Sequence, residues 1–114
     1  MTGRHERSAF ESGSAPLDAW LRQIAQQHQK RGISKTFVAV ADDAPSRILG
    51  YYALTACEML TEELPEDLAK KLPRKVPGIR LGRLAVDRSV QGQGLRELLL
   101  VDAKDKEAAG FYRK

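Results

Sequence analysis

Two glycines near the end of this chain stand in a pattern that can bind a phosphate group. Residues 91–96, here called the glycine turn, read QGQGLR and lie between a hydrophobic run and a leucine-rich segment. Where a strand leads into a helix, free backbone N–H groups and the positive end of the helix dipole point into the turn, and glycines let an anion come close. The spacing matches neither the P-loop nor the dinucleotide fingerprint, so the glycine turn alone indicates no particular ligand.

Tyr112 is a second candidate for chemistry, because a positioned tyrosine hydroxyl can act as a general acid. It lies in the closing stretch AAGFYRK, sixteen residues after the glycine turn ends. The alternative is an aromatic side chain that packs beside Phe111. Composition alone favours the packing interpretation.

The composition is typical of one soluble globular domain. The chain has 114 residues, 42% hydrophobic and 30% charged, so we expect a single domain over residues 1–114. The lone Cys57 has no partner for an internal disulfide and no neighbours at metal-ligand spacing, so we predict a reducing compartment and no metal site. No hydrophobic run approaches the ~20 residues of a membrane span, and the N-terminus lacks a signal-peptide core. These features predict a cytoplasmic protein with no membrane partner.

The net charge of +4 permits an acidic partner such as RNA or a phosphorylated cofactor without requiring one. Basic residues crowd one third of the chain, and they could contact an RNA backbone. The alternative is a charged helix face followed by a solvated linker. The basic residues are Lys70, Lys71, Arg74, Lys75, Arg80, Arg83 and Arg88.

The elements that must position these residues begin with a helix. Residues 1–14 are polar and are predicted to run extended over the surface, anchored by Phe10. From Pro16 to Gly32 the hydrophobic residues recur at helical spacing. Two β-rich runs follow, at 35–41 and 47–60, and the short connection predicts that they pair antiparallel, with Gly50 as a candidate bulge position.

The second half of the chain predicts a short helix and a third strand. The helix covers residues 64–73, where Pro73 ends it; residues 74–78 are predicted to be a linker, and residues 79–87 form the strand that leads into the glycine turn. The order of elements predicts the α+β class, with antiparallel strands covered by helices.

The stretch LGRLAVDRSVQGQGL resembles the GCN5-related N-acetyltransferases (GNAT), whose pyrophosphate loop has the pattern Q/R-x-x-G-x-G/A between a strand and a helix. Gln91 and Gly94 fill the first two fixed positions, whereas Arg96 stands at the third. Further segments resemble, in the same order, the acetyltransferase toxins of type II toxin–antitoxin systems. These are HERSAFESGSAPLDAWLRQIAQQHQKRGISKTFVAV, ILGYYALTA, LPEDLAKKLPR and VDAKDKEAAGFYRK.

This resemblance implies a GNAT-like sheet, mixed but mostly antiparallel, flanked by helices. It implies an enzyme that transfers the acetyl group of acetyl-CoA to the α-amino group of an aminoacyl-tRNA and so inhibits translation. The implied partners are a ribbon-helix-helix antitoxin and a second copy in a homodimer. Two alternatives are an acetyltransferase for another amine and an inactive remnant that binds only its antitoxin.

The resemblance also implies roles for individual residues. Tyr112 corresponds to the tyrosine that is taken to protonate the departing CoA thiolate. The strand backbone is expected to bind the pantetheine arm of acetyl-CoA, and the amides of the glycine turn its pyrophosphate. The expected acetyl-CoA-binding residues are Leu84, Ala85, Val86, Gln91, Gly92, Gln93, Gly94, Leu95 and Arg96.

The end of the chain departs from the family pattern. The resemblance implies that an internal helix-plus-strand unit and the C-terminal strands are missing; an omitted segment, a rearranged gene or strand exchange with a partner chain are alternative explanations. Residues 95–103, LRELLLVDA, therefore have two incompatible interpretations. They fit a helix that leaves the glycine turn, and they also resemble the strand that normally precedes the tyrosine segment.

Overall fold

The computed structural model describes the backbone of residues 1–60 and 75–112 and the side chains of residues 1–58 and 78–107. The helices are α1 (Ala15–Gln23), α2 (Ala25–Lys30) and α3 (Leu95–Tyr112). The strands are β1 (Ser34–Ala41), β2 (Ala44–Leu60) and β3 (Lys75–Val86), and a 3₁₀ turn (Arg88–Val90) precedes the glycine turn. The predicted helix at residues 64–73 lies outside the described residues.

The three strands form one antiparallel sheet in the order β1-β2-β3. Ala41 pairs with Ala44, so a tight turn of two aspartates joins β1 to β2. Gly50 lies at an irregularity of this pairing, because Ala39 is opposite Gly50 while Val40 is opposite Ile48. The antiparallel pairing and the bulge beside Gly50 are both confirmed.

Helices cover both faces of the sheet. On one face, α1 and α2 bury Trp20 and Leu21 against Tyr51 of β2. On the other face, α3 buries Leu99 and Ala103 against a second cluster that includes strand residues of β2 and β3. The predicted α+β class is confirmed, and in the described residues the sheet is the middle layer between the helices.

The predicted first helix is confirmed with one irregularity. It is divided into α1 and α2 at Ile24, where the backbone departs from helical geometry. Hydrogen bonds nevertheless continue across the junction, because the Ile24 N–H donates to Trp20 O at 2.9 Å and the His28 N–H donates to Ile24 O at 3.0 Å. The helical hydrogen bonding therefore continues from α1 into α2.

The prediction of a linker at residues 74–78 is wrong for the part that the structure describes. Residues 75–78 belong to β3, where Lys75 pairs with Leu60 and Gly78 pairs with Cys57. Pro77 has no N–H to donate, but β3 pairs with only one strand of the described sheet, and proline is tolerated on such an edge. Because β2 is long, it pairs with residues 75–78, although the proline and glycine in that segment are typical of a turn.

Candidate functional site

The glycine turn has a backbone conformation that requires glycine. Gly92 and Gly94 have φ angles of 81° and 85°, in the left-handed region that other residues avoid. A Cβ atom at either position would meet no other atom within 4 Å. The conformation, and not crowding, selects glycine here, and the space beside both residues is open to a ligand.

The helix α3 starts directly after these glycines. Leu95 is its first residue, and the Leu98 N–H donates to Gly94 O at 3.2 Å. The N–H groups before Leu98 have no acceptor within the helix, and the positive end of the dipole of this 18-residue helix lies at the glycine turn. The helical interpretation of residues 95–103 is therefore right and the strand interpretation is wrong, and the turn keeps its attraction for anions.

The Asp87 carboxylate stabilises the chain that leads into the glycine turn. Its carboxylate accepts hydrogen bonds from the Ser89 hydroxyl at 2.6 Å, the Ser89 N–H at 3.1 Å and the Glu11 N–H at 2.9 Å. Burial alone would raise the pKa of Asp87, but these hydrogen bonds and the nearby Arg47 outweigh it, so the pKa is lowered. Asp87 thus remains charged and joins the N-terminal segment to the end of β3.

Gln91 uses its side chain for structure. Its Nε2 donates to Ser12 O at 2.7 Å and to Val86 O at 3.0 Å, so it bridges the N-terminal segment and the last residue of β3. The amide side chain of Gln91 is thus already engaged, and its backbone N–H donates to Arg88 O at 3.4 Å.

The edge of β3 offers backbone groups beside the turn. The Asp87 N–H donates to Leu49 O at 2.8 Å, and antiparallel pairing alternates, so Ala85 also faces β2 while Leu84 and Val86 face away from it. No described strand pairs with this outer edge. Since Gln91 occupies the Val86 carbonyl, the N–H and C=O of Leu84 and the N–H of Val86 are the groups left for a ligand.

A cavity of about 370 Å³ joins the glycine turn to this edge. It brings together most of the residues that the sequence predicts for acetyl-CoA binding. These are Leu84, Ala85, Val86, Gln91, Gly92, Gly94, Leu95 and Arg96. Gln93 is exposed in the same turn and is not among the described residues of the cavity wall.

The cavity wall also includes residues that the sequence pattern does not predict for this site. Ser12, Ser14 and Leu17 form part of its wall. The N-terminal segment that carries Ser12 is anchored by Phe10, which is 1% exposed and packs edge-on against Tyr51 at a centroid distance of 5.5 Å. The predicted anchoring by Phe10 is confirmed, and it was the only signal in the sequence that the N-terminal segment reaches this site.

Arg96 lies in the first turn of α3, on the cavity wall, and is exposed. Positive side chains are disfavoured at a helix N-terminus, because the helix dipole is itself positive there. An anion in the glycine turn removes that conflict. Arg96 is therefore more favourably placed if its guanidinium binds an anion than if it has no anionic partner.

Tyr112 lies at the opposite end of α3. The helix runs antiparallel to β3, since Leu95 packs near the end of the strand while the Glu107 carboxylate accepts a hydrogen bond from the Leu81 N–H at 3.2 Å. At about 1.5 Å per residue, the Tyr112 backbone is roughly 26 Å along the helix from Leu95. The structure thus does not bring Tyr112 to the glycine turn, and its catalytic role stays a prediction.

The basic residues predicted to contact RNA are divided among different environments. The Arg83 guanidinium lies 4.5 Å from the centroid of the Trp20 ring, and Arg88 pairs with Glu11 at 3.6 Å. Arg80 and Arg88 are exposed. Lys70, Lys71 and Arg74 lie outside the described residues, as does the side chain of Lys75. RNA contact by these residues remains a prediction.

No described helix is both long and apolar enough to cross a lipid bilayer. Within the same part of the chain, no group of three or more His, Cys, Asp and Glu residues is placed to hold a metal ion.

No family model matches the chain. It is 40% identical over 96 residues to a tRNA-acetylating toxin of Mycobacterium tuberculosis (strain ATCC 25618 / H37Rv), covering 84% of this chain and 56% of that protein. Among solved structures, AtaT complexed with acetyl-methionyl-tRNAfMet is similar with a TM-score of 0.75 and 29% identity, covering 92% of this chain and 63% of that one. A tyrosine-to-phenylalanine mutant of the AtaT toxin, bound to the C-terminus of the antitoxin AtaR and acetyl-CoA, has a TM-score of 0.69 and 25% identity over 90% of this chain and 58% of that one.

These likenesses confirm the resemblance to acetyltransferase toxins that the sequence shows. The chain spans little more than half the length of these relatives, between 56% and 63%. The three antiparallel strands within residues 34–60 and 75–86, with their flanking helices, form an incomplete GNAT fold. The chain is a homologue of the GNAT-fold toxins of toxin–antitoxin systems.

Proposed function

We propose that this chain is an acetyl-CoA-dependent N-acetyltransferase toxin that acetylates the amino group of aminoacyl-tRNA and so inhibits translation. The observation that carries the proposal is the cavity in which the glycine turn, at the N-terminus of α3, meets the outward-facing backbone of β3. The relatives support it, because one is named a tRNA-acetylating toxin and another is solved with acetyl-methionyl-tRNA.

The residues of this cavity fit the two parts of the CoA chain. The open N–H groups of the glycine turn would hold the pyrophosphate, and the exposed Arg96 would add a positive charge. The outward backbone groups of Leu84 and Val86 would hydrogen-bond the pantetheine arm, as an added strand does at a sheet edge. Acetyl-CoA supplies the thioester; the protein supplies backbone geometry, which explains why few polar side chains are needed.

Tyr112 is proposed as the general acid whose hydroxyl donates a proton to the CoA thiolate. The antiparallel course of α3 along β3 supports this role, because a pantetheine arm that leaves the glycine turn along β3 runs in the direction of Tyr112. A phenol with a reference pKa near ~10 can protonate a thiolate within hydrogen-bond reach. The acceptor α-amino group has a reference pKa near ~8, so a useful fraction is neutral at pH 7 and a dedicated base is unnecessary.

The proposal includes the partners of such a toxin. We propose a ribbon-helix-helix antitoxin, a homodimer and a cytoplasmic site of action. The AtaT mutant bound to the C-terminus of its antitoxin supports an antitoxin partner. The exposed Arg80 and Arg88, which lie outside the core, would contact tRNA phosphates.

The first test is acetyl-CoA binding by calorimetry, followed by transfer of a labelled acetyl group to aminoacyl-tRNA. Gly94→Ala should weaken binding about tenfold, because a left-handed backbone costs roughly 1–2 kcal/mol in a residue with a Cβ atom. Gly3→Ala is the matched control, since a Cβ there meets nothing and no left-handed φ is involved.

The outcomes separate the alternatives. No binding at millimolar acetyl-CoA overturns the enzymatic proposal and indicates a remnant that binds only its antitoxin. Binding without acetylation of aminoacyl-tRNA overturns the tRNA acceptor and indicates another amine substrate.

A further inference from the structure

A second cavity lies on the face of the sheet that α3 covers, away from the glycine turn. Its volume is about 830 Å³, and it shares no described wall residue with the first cavity. Phe37 of β1, Leu54 of β2 and Ile79 of β3 contribute apolar surface across the three strands. A concave apolar surface of this kind is what the body of a small ligand requires.

The charged groups of this cavity are all positive. Lys35 and Lys106 are part of its wall, and none of its described wall residues is acidic. Their ammonium groups lie 5.3 Å and 4.5 Å, respectively, from the centroid of the Phe37 ring. The cavity therefore combines an aromatic surface with two cations at its border, an arrangement that favours an anion attached to an apolar group.

Lys106 is held in place by two neighbours. Its Nζ donates to the Tyr52 hydroxyl at 2.8 Å and to the Asp102 carboxylate, and Tyr52 donates to the same carboxylate. The hydrogen bond to Asp102, followed by the one to Tyr52, raises the pKa of Lys106, so the ammonium remains protonated at neutral pH. A fixed charge binds an anion with less loss of side-chain entropy than a mobile one.

We propose that this second cavity binds a small carboxylate with an aromatic or similarly apolar body. Phe37, Leu54 and Ile79 contact the body, while the Lys35 and Lys106 ammonium groups bind the carboxylate. The site is separate from the proposed acetyl-CoA cavity, and its occupation does not depend on transfer chemistry.

The test compares 2-naphthoate with 2-naphthamide, which have the same ring system and differ in charge. Titrations followed by amide NMR should show saturable shifts at residues 34–37 and 54–56 with naphthoate, and about tenfold weaker binding of naphthamide, the ratio expected when a charge-assisted hydrogen bond is lost. Lys35→Gln should reduce naphthoate affinity toward that of naphthamide and leave naphthamide affinity unchanged. Lys104→Gln, which removes the same charge from an exposed residue of α3, is the control.

Three results would overturn the proposal. They are equal affinity for the two compounds, naphthoate affinity unaffected by Lys35→Gln, and complete displacement of naphthoate by acetyl-CoA, which would assign it to the first cavity. Because each outcome concerns naphthoate, failure here is distinguishable from failure of acetyl-CoA binding.

Discussion

Gly50 of β2 lies directly beneath Leu99 of α3, so close that a Cβ atom on Gly50 would be 2.9 Å from Leu99 Cδ1. The same atom would be 3.2 Å from the Ala85 carbonyl oxygen and 3.3 Å from Leu95 Cδ2. Leu95 is the first residue of α3 and part of the proposed acetyl-CoA cavity. The absence of a side chain at Gly50 therefore lets α3 approach the sheet and sets the position of the glycine turn.

Gly50→Ala is expected to destabilise the protein by about 1–3 kcal/mol, the usual cost of overpacking a filled core. The methyl groups of Leu95 and Leu99 can move, whereas the Ala85 carbonyl is held in place by the pairing of β3 with β2. Urea denaturation measures the change in the free energy of unfolding, and calorimetry should show weaker acetyl-CoA binding. Gly3→Ala should change neither quantity. An unaltered free energy of unfolding for Gly50→Ala would show that α3 does not pack closely against Gly50.

Asp87 should make folding stability depend on pH. Its pKa is lower in the folded protein than the ordinary value of 3.8, so its contribution is fully present above that value and is lost as the pH falls through the lower, folded-state pKa. Asp87→Asn should therefore lower the thermal midpoint at pH 7, and the difference from the unmodified protein should shrink in strongly acidic solution. Asp42→Asn, at the exposed turn between β1 and β2, is the control. A difference that is constant with pH would contradict the assigned hydrogen bonds.

Tyr112→Phe should lower turnover about a hundredfold, the lower range for loss of a general acid, and leave acetyl-CoA affinity nearly unchanged. Turnover and affinity should respond differently because Tyr112 lies at the far end of α3, distant from the glycine turn. Single-turnover kinetics with aminoacyl-tRNA and calorimetry with acetyl-CoA measure the two quantities. Unchanged turnover would remove Tyr112 from the mechanism, whereas lost affinity would indicate a structural role.

Arg96→Gln should weaken acetyl-CoA binding roughly fivefold, because a charge at a helix end contributes ~1 kcal/mol. The sequence left two outcomes open, obstruction of the loop or attraction of a phosphate; the exposed position at the start of α3 favours attraction. The loss should diminish as salt is added, since screening weakens exposed charges. Lys104→Gln controls for the change in net charge, and tighter binding by Arg96→Gln would indicate obstruction.

Local patterns predicted the elements whose signals are contained within a few residues. The β-rich run at 35–41 and the helical spacing from Pro16 were sufficient for β1 and for the α1–α2 pair. The prediction failed at residues 75–78, where turn-like residues belong to β3 because the long β2 pairs with them. Pairing between distant segments overrode local preference there.

The sequence by itself determined that a glycine turn follows a strand and that this pair resembles a GNAT pyrophosphate loop, because backbone conformation at glycine and ordered motifs are local properties. Only the tertiary structure decided between helix and strand for residues 95–103, since Leu99 and Ala103 become buried only when α3 lies on the sheet above Gly50. It also decided that Ser12 and Leu17 share a cavity with that turn, and that Tyr112 lies at the other end of α3. These relationships join residues far apart in the chain, so packing and not spacing determines them.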